Sequence, residues 1–185
     1  MKRISRHILV SLAAMSSMIV CAQTSPGATI ESVIGHGDFI PRIPSAADVD
    51  RELGPATRSR MGNESFLCYS VGTRKLILFL DEGADDNDAA VEEVAVFGAG
   101  PVGPDHCPPV DIPALSKGFH GLDIGASVAA LHRTGLDFSL DDADHSGMEK
   151  LKAYTFSPLR DQHDLYHRFY VQGNKVVGYS IGVTE

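Results

Sequence analysis

Residues 142–147 read Asp-Ala-Asp-His-Ser-Gly and copy the first half of a calcium-binding EF-hand loop. In that loop, side-chain oxygens at alternate positions coordinate the ion and a glycine permits the sharp turn. A complete loop also has an apolar residue at the eighth position and a bidentate glutamate at the twelfth, where this chain has Glu149 and Ala153. We therefore predict a solvated acidic turn here, with no structural calcium.

Two other patterns were candidates for enzymatic chemistry. Residues 125–129, Gly-Ala-Ser-Val-Ala, partly match the nucleophile elbow of serine hydrolases, but the last position is not glycine and most of the preceding sheet is missing. Ser127 is therefore interpreted as the hydroxyl residue that begins a helix. His163 and His167 are spaced by four residues in a loop leading into a strand, where that spacing does not converge on a metal.

The remaining sequence adds no catalytic signature. Residues 81–88 form a second acidic cluster, which we interpret as a charged loop. No phosphate-binding loop and no dinucleotide fingerprint occur. The sequence thus predicts no catalytic residue, no metal and no cofactor. It favours a non-enzymatic role but leaves enzymatic activity open.

The N-terminus predicts export. Three basic residues precede an uncharged apolar segment, residues 8–20, so residues 1–22 are predicted to be a secretory signal peptide. The mature chain would then be periplasmic or secreted. Cys21 raises the alternative of a lipid anchor, although Val20 is larger than the residue that normally precedes a lipidated cysteine.

Charge and hydropathy limit the possible partners. Removal of residues 1–22 takes away three basic residues and changes the formal net charge from −8 to −11. Phosphates would repel so acidic a chain, so we predict no nucleic-acid partner. No second apolar segment is long enough for a membrane span.

Two cysteines, Cys68 and Cys107, remain after processing. In an exported protein an even cysteine count indicates a disulfide, and two cysteines allow one intramolecular pairing. Cys107 lies within residues 99–113, which contain five prolines and so cannot form a helix or central strand. We predict that a Cys68–Cys107 disulfide attaches this proline-rich segment to the first half of the chain.

The spacing of apolar and turn residues predicts the elements. Ser45 is the expected N-cap of a helix that ends at Gly54, and Gly135 ends a second helix. Residues 75–80 form the densest apolar run of the mature chain and predict a buried strand. The predicted strands of the two halves are residues 65–71, 74–80 and 91–97, then residues 152–156, 165–171 and 175–182.

This order predicts an α+β fold made of two tandem units, each a short helix followed by a three-stranded antiparallel meander, with the helices on one face of the sheet. The alternative is chance similarity between two ordinary α+β segments. The predicted boundaries are residues 23–98 for the first unit, 99–117 for the linker and 118–185 for the second unit.

Two segments carry a resemblance to known families: residues 124–135, Ile-Gly-Ala-Ser-Val-Ala-Ala-Leu-His-Arg-Thr-Gly, and residues 47–55, Ala-Asp-Val-Asp-Arg-Glu-Leu-Gly-Pro. Both resemble the helix entry of the β-lactamase-inhibitor-protein fold and of the small outer-membrane assembly lipoproteins (BamE/SmpA). The resemblance implies an exported binding or envelope role and supplies no catalytic residue.

Alternation along residues 165–171 predicts where a partner binds. One face carries Leu165, His167, Phe169 and Val171 and is expected to contact the helices. The other carries Tyr166, Arg168 and Tyr170, which have the composition of interface hot spots. Tyr154 and Tyr179 are expected to extend this patch. The alternative is an ordinary amphipathic sheet with tyrosines at its wet edge.

The function predicted from these observations is an exported binding or inhibitory module that acts on a protein partner through its sheet surface. The alternative is a structural or accessory protein of the cell envelope, with a possible lipid anchor at Cys21.

Overall fold

The computed structural model describes residues 44–81, 88–100, 102–112, 121–143, 145, 147–157 and 165–183. The predicted signal peptide and Cys21 lie outside the described residues. Within the described part, no helix is both long enough and apolar enough to cross a membrane.

Within the described residues, eight antiparallel strands form one sheet in the order β1-β2-β3-β4-β8-β7-β6-β5. The elements are α1 (Ala46–Leu53), β1 (Thr57–Met61), β2 (Glu64–Val71), β3 (Arg74–Leu80), β4 (Val91–Phe97), α2 (Val128–His132), β5 (Ser139–Asp142), β6 (Lys152–Phe156), β7 (Leu165–Gln172) and β8 (Lys175–Val183). The described chain is therefore mostly β.

The predicted α+β tandem of helix-plus-three-strand units is wrong. β4 pairs with β8 from Glu93 opposite Gly182 to Phe97 opposite Gly178, which joins all the strands into one continuous sheet. The prediction also missed the two edge strands, β1 and β5. Their side chains are mostly polar, with β5 exposed throughout and β1 half-buried at alternate residues, so neither strand shows the apolar run or apolar alternation that indicates a strand in sequence.

Hydroxyl side chains begin both helices. Ser45 accepts a hydrogen bond from the amide of Asp48, whose carboxylate accepts one from the Ser45 amide, which completes a capping box. Ser127 accepts from the amide of Ala130 at the start of α2, the helix-entry role that the sequence predicts. The short helices bury only part of their surface, with Ala46 and Val49 buried in α1 and Leu131 buried in α2.

The sheet has a buried core on each face. The helix-side core lies under α1 and α2 and includes Val49, Leu78, Val94, Leu131, Phe169 and Tyr179. The loop-side core lies under irregular segments and includes Phe66, Ile77, Phe97, Val102, Met148 and Tyr170. Both faces of the central strands are thus withdrawn from solvent.

The structure contains the Cys68–Cys107 disulfide that the cysteine count predicts, with the two α-carbons 5.4 Å apart. The following residues continue the attachment, because the Ser70 amide donates to the Pro108 carbonyl at 2.8 Å and the Val110 amide donates to the Ser70 carbonyl at 2.9 Å. The proline-rich segment is therefore fixed to β2 by one covalent bond and two backbone hydrogen bonds.

Candidate functional site

Glu93 is the centre of a buried polar cluster on the loop side of the sheet. Its side chain is 1% exposed. One carboxylate oxygen accepts from the Tyr170 hydroxyl, and the other accepts from the Tyr166 hydroxyl and from Arg168 Nη1 at 3.3 Å. His145 Nε2 lies 3.1 Å from that second oxygen. The carboxylate thus has four polar partners among the described residues and is almost fully buried.

Glycine in β8 makes room for this cluster. Gly182 lies between Glu93 of β4 and Tyr166 of β7 in the sheet register. A Cβ atom at residue 182 would lie 2.3 Å from the ring and hydroxyl of Tyr166, closer than atoms can approach. Because Gly182 has no side chain, the Tyr166 ring crosses over β8 and its hydroxyl reaches Glu93.

His145 connects two carboxylates from different strands. Its Nδ1 lies 2.6 Å from Glu64 of β2, and its Nε2 contacts Glu93 of β4. The imidazole stacks on the Phe79 ring, with 3.8 Å between ring centroids and a 2° interplanar angle. The sequence predicted a solvated acidic turn around this residue, whereas the His145 side chain is only 13% exposed. Residues 144 and 146 of that turn lie outside the described part of the chain.

The electrostatics of the cluster keep Glu93 ionised. Burial alone would raise its pKa, but the hydrogen bond and charge of His145 and the charge of Arg168 lower the pKa to about 2. Burial lowers the pKa of Arg168, yet the negative charge of Glu93 outweighs it and the net shift is upward. Burial raises the pKa of Tyr170 well above its ordinary value. The cluster joins ion pairs and neutral hydroxyls of the same chain, which suits internal fastening better than proton transfer to a substrate.

The structure separates the five residues predicted to bind a partner. Tyr166, Arg168 and Tyr170 share the loop-side face, as alternation predicts, but Tyr170 is fully buried and Arg168 is 9% exposed. Tyr154 and Tyr179 lie on the helix side, beside Phe138 and within the helix-side core respectively. The exposed tyrosine–arginine surface that the prediction assumed is absent from the described sheet, because irregular segments cover that face.

Sequence reasoning missed Glu93, Glu64 and His145. One signal was available for Glu93, since it shares the loop-side face of β4 with apolar Ala95 and Phe97 and so required buried partners. His145 is separated from Glu64 by 81 residues and from Glu93 by 52, so no local pattern could have joined them.

An apolar cavity of about 250 Å³ opens at the end of the sheet where β4 ends and β8 begins. It lies between the sheet and three irregular segments, which contribute residues 98–100 and 102, Ile124 and Leu151. Its lining includes Phe97, Gly98, Ala99, Val102, Leu151 and Val177.

Lys75 of β3 fixes the wall of this cavity. Its ammonium group donates to the carbonyl of Val102 at 2.9 Å and to those of Gly100 and Gly103 at 3.4 Å each. Gly103 has a φ of +75°, and a Cβ there would lie 2.9 Å from the side chain of Ile77. Glycine therefore allows the wall segment to approach the sheet closely, and the lysine supplies a hydrogen-bond donor for the carbonyls of that segment.

Comparison with known proteins gives no family assignment. No family model matches the chain, and no curated protein matches it. Among solved structures, the crystal structure of a cysteine-rich secretory protein from Staphylococcus aureus subsp. aureus Mu50 is similar over 85% of this chain, at 13% identity and a TM-score of 0.40. The chain spans about half of that protein, 47% of its length. A likeness this distant carries no argument about function, and the resemblance to the inhibitor and lipoprotein families stays a prediction.

Proposed function

We propose that this protein is an exported, non-enzymatic binding module that accepts an apolar side chain of a protein partner in the cavity beside Phe97 and Val177. The observation that carries the proposal is the cavity itself, an apolar recess with an anchored wall. We assign partner binding to this cavity and not to the tyrosine–arginine sheet surface, because that surface is largely buried.

The size of the cavity supports a side chain as the bound group. Pockets for small-molecule ligands usually measure roughly 300–1,000 Å³, and this one is about 250 Å³. Interfaces commonly place one or two anchor side chains in a desolvated pocket and surround them with weaker contacts. A leucine, isoleucine or phenylalanine side chain matches the apolar lining.

The rigidity of the wall supports the same conclusion. The Lys75 ammonium and the Cys68–Cys107 disulfide hold the segments on either side of Pro104 against the sheet. A cavity that exists before binding avoids the cost of ordering the wall on association. This arrangement favours recognition of a preformed shape.

The disulfide also supports export, because such bonds persist in oxidising compartments. We propose that this compartment is the periplasm or the exterior of the cell. The Glu93 cluster supports a non-enzymatic role, since its carboxylate is 1% exposed and surrounded by donors from its own chain.

A side-chain analogue tests the proposal directly. Burial of one leucine-sized side chain contributes roughly 1.5–3 kcal/mol, so N-acetylleucinamide should bind weakly, with a Kd of about 1 mM or above. We expect saturable chemical-shift changes at the amides of Gly98, Val102 and Val177. N-acetylserinamide should give none.

A matched pair of substitutions localises the binding. Ala99 is exposed at the rim of the cavity, and Ala129 is exposed on α2, away from it. Ala99→Phe should fill the opening and abolish the shifts, whereas Ala129→Phe should preserve them. Equal binding by both variants, or shifts confined to other residues, would rule out the cavity as the recognition site.

A further inference from the structure

The contacts of His145 require its imidazole to carry two protons. A carboxylate accepts hydrogen bonds and donates none, and His145 has a carboxylate oxygen at each ring nitrogen. The neutral ring carries a single N–H. After loss of one proton, a bare nitrogen lone pair would face either Glu64 or Glu93, and that contact becomes repulsive.

His145 fastens the segment between β5 and β6 to the sheet. The described residues of this segment, 143, 145 and 147–151, are named the β5–β6 segment. It covers the loop-side core with Ala143, Met148 and Leu151. Its backbone hydrogen bonds from Met148 to His145 and from Leu151 to Met148 remain within the segment, whereas the two His145 side-chain contacts reach β2 and β4.

We propose that His145 is a pH-sensitive fastener, which holds the β5–β6 segment on the sheet while the imidazole is doubly protonated and releases it when one proton is lost. The groups that face His145 come from four strands. Glu64 of β2 and Glu93 of β4 contact it directly, and the Phe79 ring of β3 stacks on it. Arg168 of β7 and the hydroxyls of Tyr166 and Tyr170 donate to Glu93 and so lie around the carboxylate that His145 contacts.

The direction of the pH response follows from the charges. Burial lowers the pKa of His145, but the hydrogen bonds and negative charges of Glu93 and Glu64 outweigh burial and raise it. Protonated His145 stabilises the folded state because its pKa is higher there than in the unfolded chain. This stabilisation is complete below the unfolded-state pKa of about 6.5 and is lost as pH rises through the folded-state pKa. Alkaline pH therefore loosens the segment.

The same device would regulate the cavity. Leu151 belongs to the β5–β6 segment and lines the cavity, so release of the segment removes part of the wall. This second step rests on the proposed function, and side-chain binding should weaken over the pH range in which the segment loosens.

Hydrogen exchange of the Met148 and Leu151 amides, corrected for the intrinsic effect of pH, measures the fastening without any ligand. Between about pH 5.5 and about pH 9, we expect protection to fall at least roughly threefold in the wild-type protein. His145→Gln should show low protection that does not change with pH. His132→Gln, a substitution of an exposed histidine on α2, should behave like the wild type.

Glu64→Gln is the decisive variant. A glutamine amide donates hydrogen bonds, so a neutral His145 can accept from Gln at one nitrogen and donate to Glu93 at the other. The segment should then stay protected at about pH 9. Wild-type protection that does not change with pH, or a Glu64→Gln segment that opens like the wild type, would overturn the inference, and the Glu64→Gln arm decides even if His145→Gln does not fold.

N-acetylleucinamide binding, measured in parallel, separates the two proposals. Binding that weakens with pH in the wild type but not in Glu64→Gln supports both. Absence of binding at every pH sinks the proposed function and leaves the exchange result to decide the role of His145.

Discussion

The two faces of the sheet are covered by different kinds of structure. On the helix side, α1 and α2 pack on an apolar core, and their backbone groups are satisfied by their own turns and by the caps at Ser45 and Ser127. On the loop side the covering segments are irregular, and without a repeating hydrogen-bond pattern they depend on bonds to the sheet for their position. That face carries the disulfide, the Lys75 ammonium contacts and the His145 contacts.

This difference between the two faces shows what an irregular segment needs in order to cover a sheet. A helix satisfies most of its own backbone and packs largely through its apolar stripe, whereas an irregular segment relies more on specific bonds to the sheet. Those bonds place ionisable groups beneath the loops, and one of them, Glu93, is fully buried. The loop-side core should therefore be sensitive to the loss of single polar atoms and to pH, while the helix-side core should respond chiefly to changes in shape.

The largest expected effect is that of Glu93→Ala. The substitution leaves the buried Arg168 charge without its carboxylate and removes the acceptor of two tyrosine hydroxyls. Removal of one partner from a buried ion pair typically costs about 3–5 kcal/mol. Urea unfolding should show a loss of this size, with a much smaller loss for Glu52→Ala, a substitution of an exposed glutamate on α1. Equal losses would mean that the cluster does not fasten the loop side.

Acid titration of Glu93 should give the second-largest effect on stability. Glu93 is a depressed-pKa carboxylate, so its stabilisation is complete above the unfolded pKa of about 4.5 and is lost as pH falls through the folded pKa of about 2. The whole change amounts to roughly 3 kcal/mol. The stability difference between wild type and Glu93→Gln should shrink over this range. A difference that stays constant from about pH 5 to about pH 2 would contradict the depressed pKa.

Gly182→Ala tests the space that β8 leaves for Tyr166. The added Cβ would meet the ring at 2.3 Å, so the tyrosine must move and lose its bond to Glu93. Overpacking of this kind costs roughly 1–3 kcal/mol. Gly100→Ala is the control, because its Cβ would approach nothing closer than 3.9 Å. Thermal unfolding should separate the two variants, and similar Tm values would show that Tyr166 moves at no cost.

These particular residues also show what the sequence could predict. The caps at Ser45 and Ser127 and the Cys68–Cys107 pairing depend on local spacing or on a count, and each was predicted. The common face of Tyr166, Arg168 and Tyr170 followed from strand alternation, but whether that face is exposed depends on what covers it.

The features that the sequence did not predict depend on contacts between residues that are far apart in the chain. The union of the strands into one sheet depends on β4 pairing with β8, and the environment of Arg168 depends on Glu93, 75 residues away. Only the three-dimensional arrangement of the strands determines these partners. The edge strands β1 and β5 were missed for a different reason, since mostly polar strands carry no apolar periodic signal.

The smallest predicted effect lies on the helix side, where loss of one polar atom should matter least. Ser45→Ala removes the side-chain oxygen that accepts from the Asp48 amide, and such caps contribute about 1 kcal/mol. The start of α1 keeps its other attachments, because the Ala46 amide still donates to the Ala89 carbonyl at 2.8 Å and the Val91 amide to the Pro44 carbonyl at 3.0 Å. Urea unfolding should therefore show a much smaller loss of unfolding free energy for Ser45→Ala than for Glu93→Ala. Ser127→Ala, at the start of α2, should show a similarly small loss. A cap variant as damaging as Glu93→Ala would remove the contrast between the two faces, since it would make the helix layer equally dependent on a single polar contact.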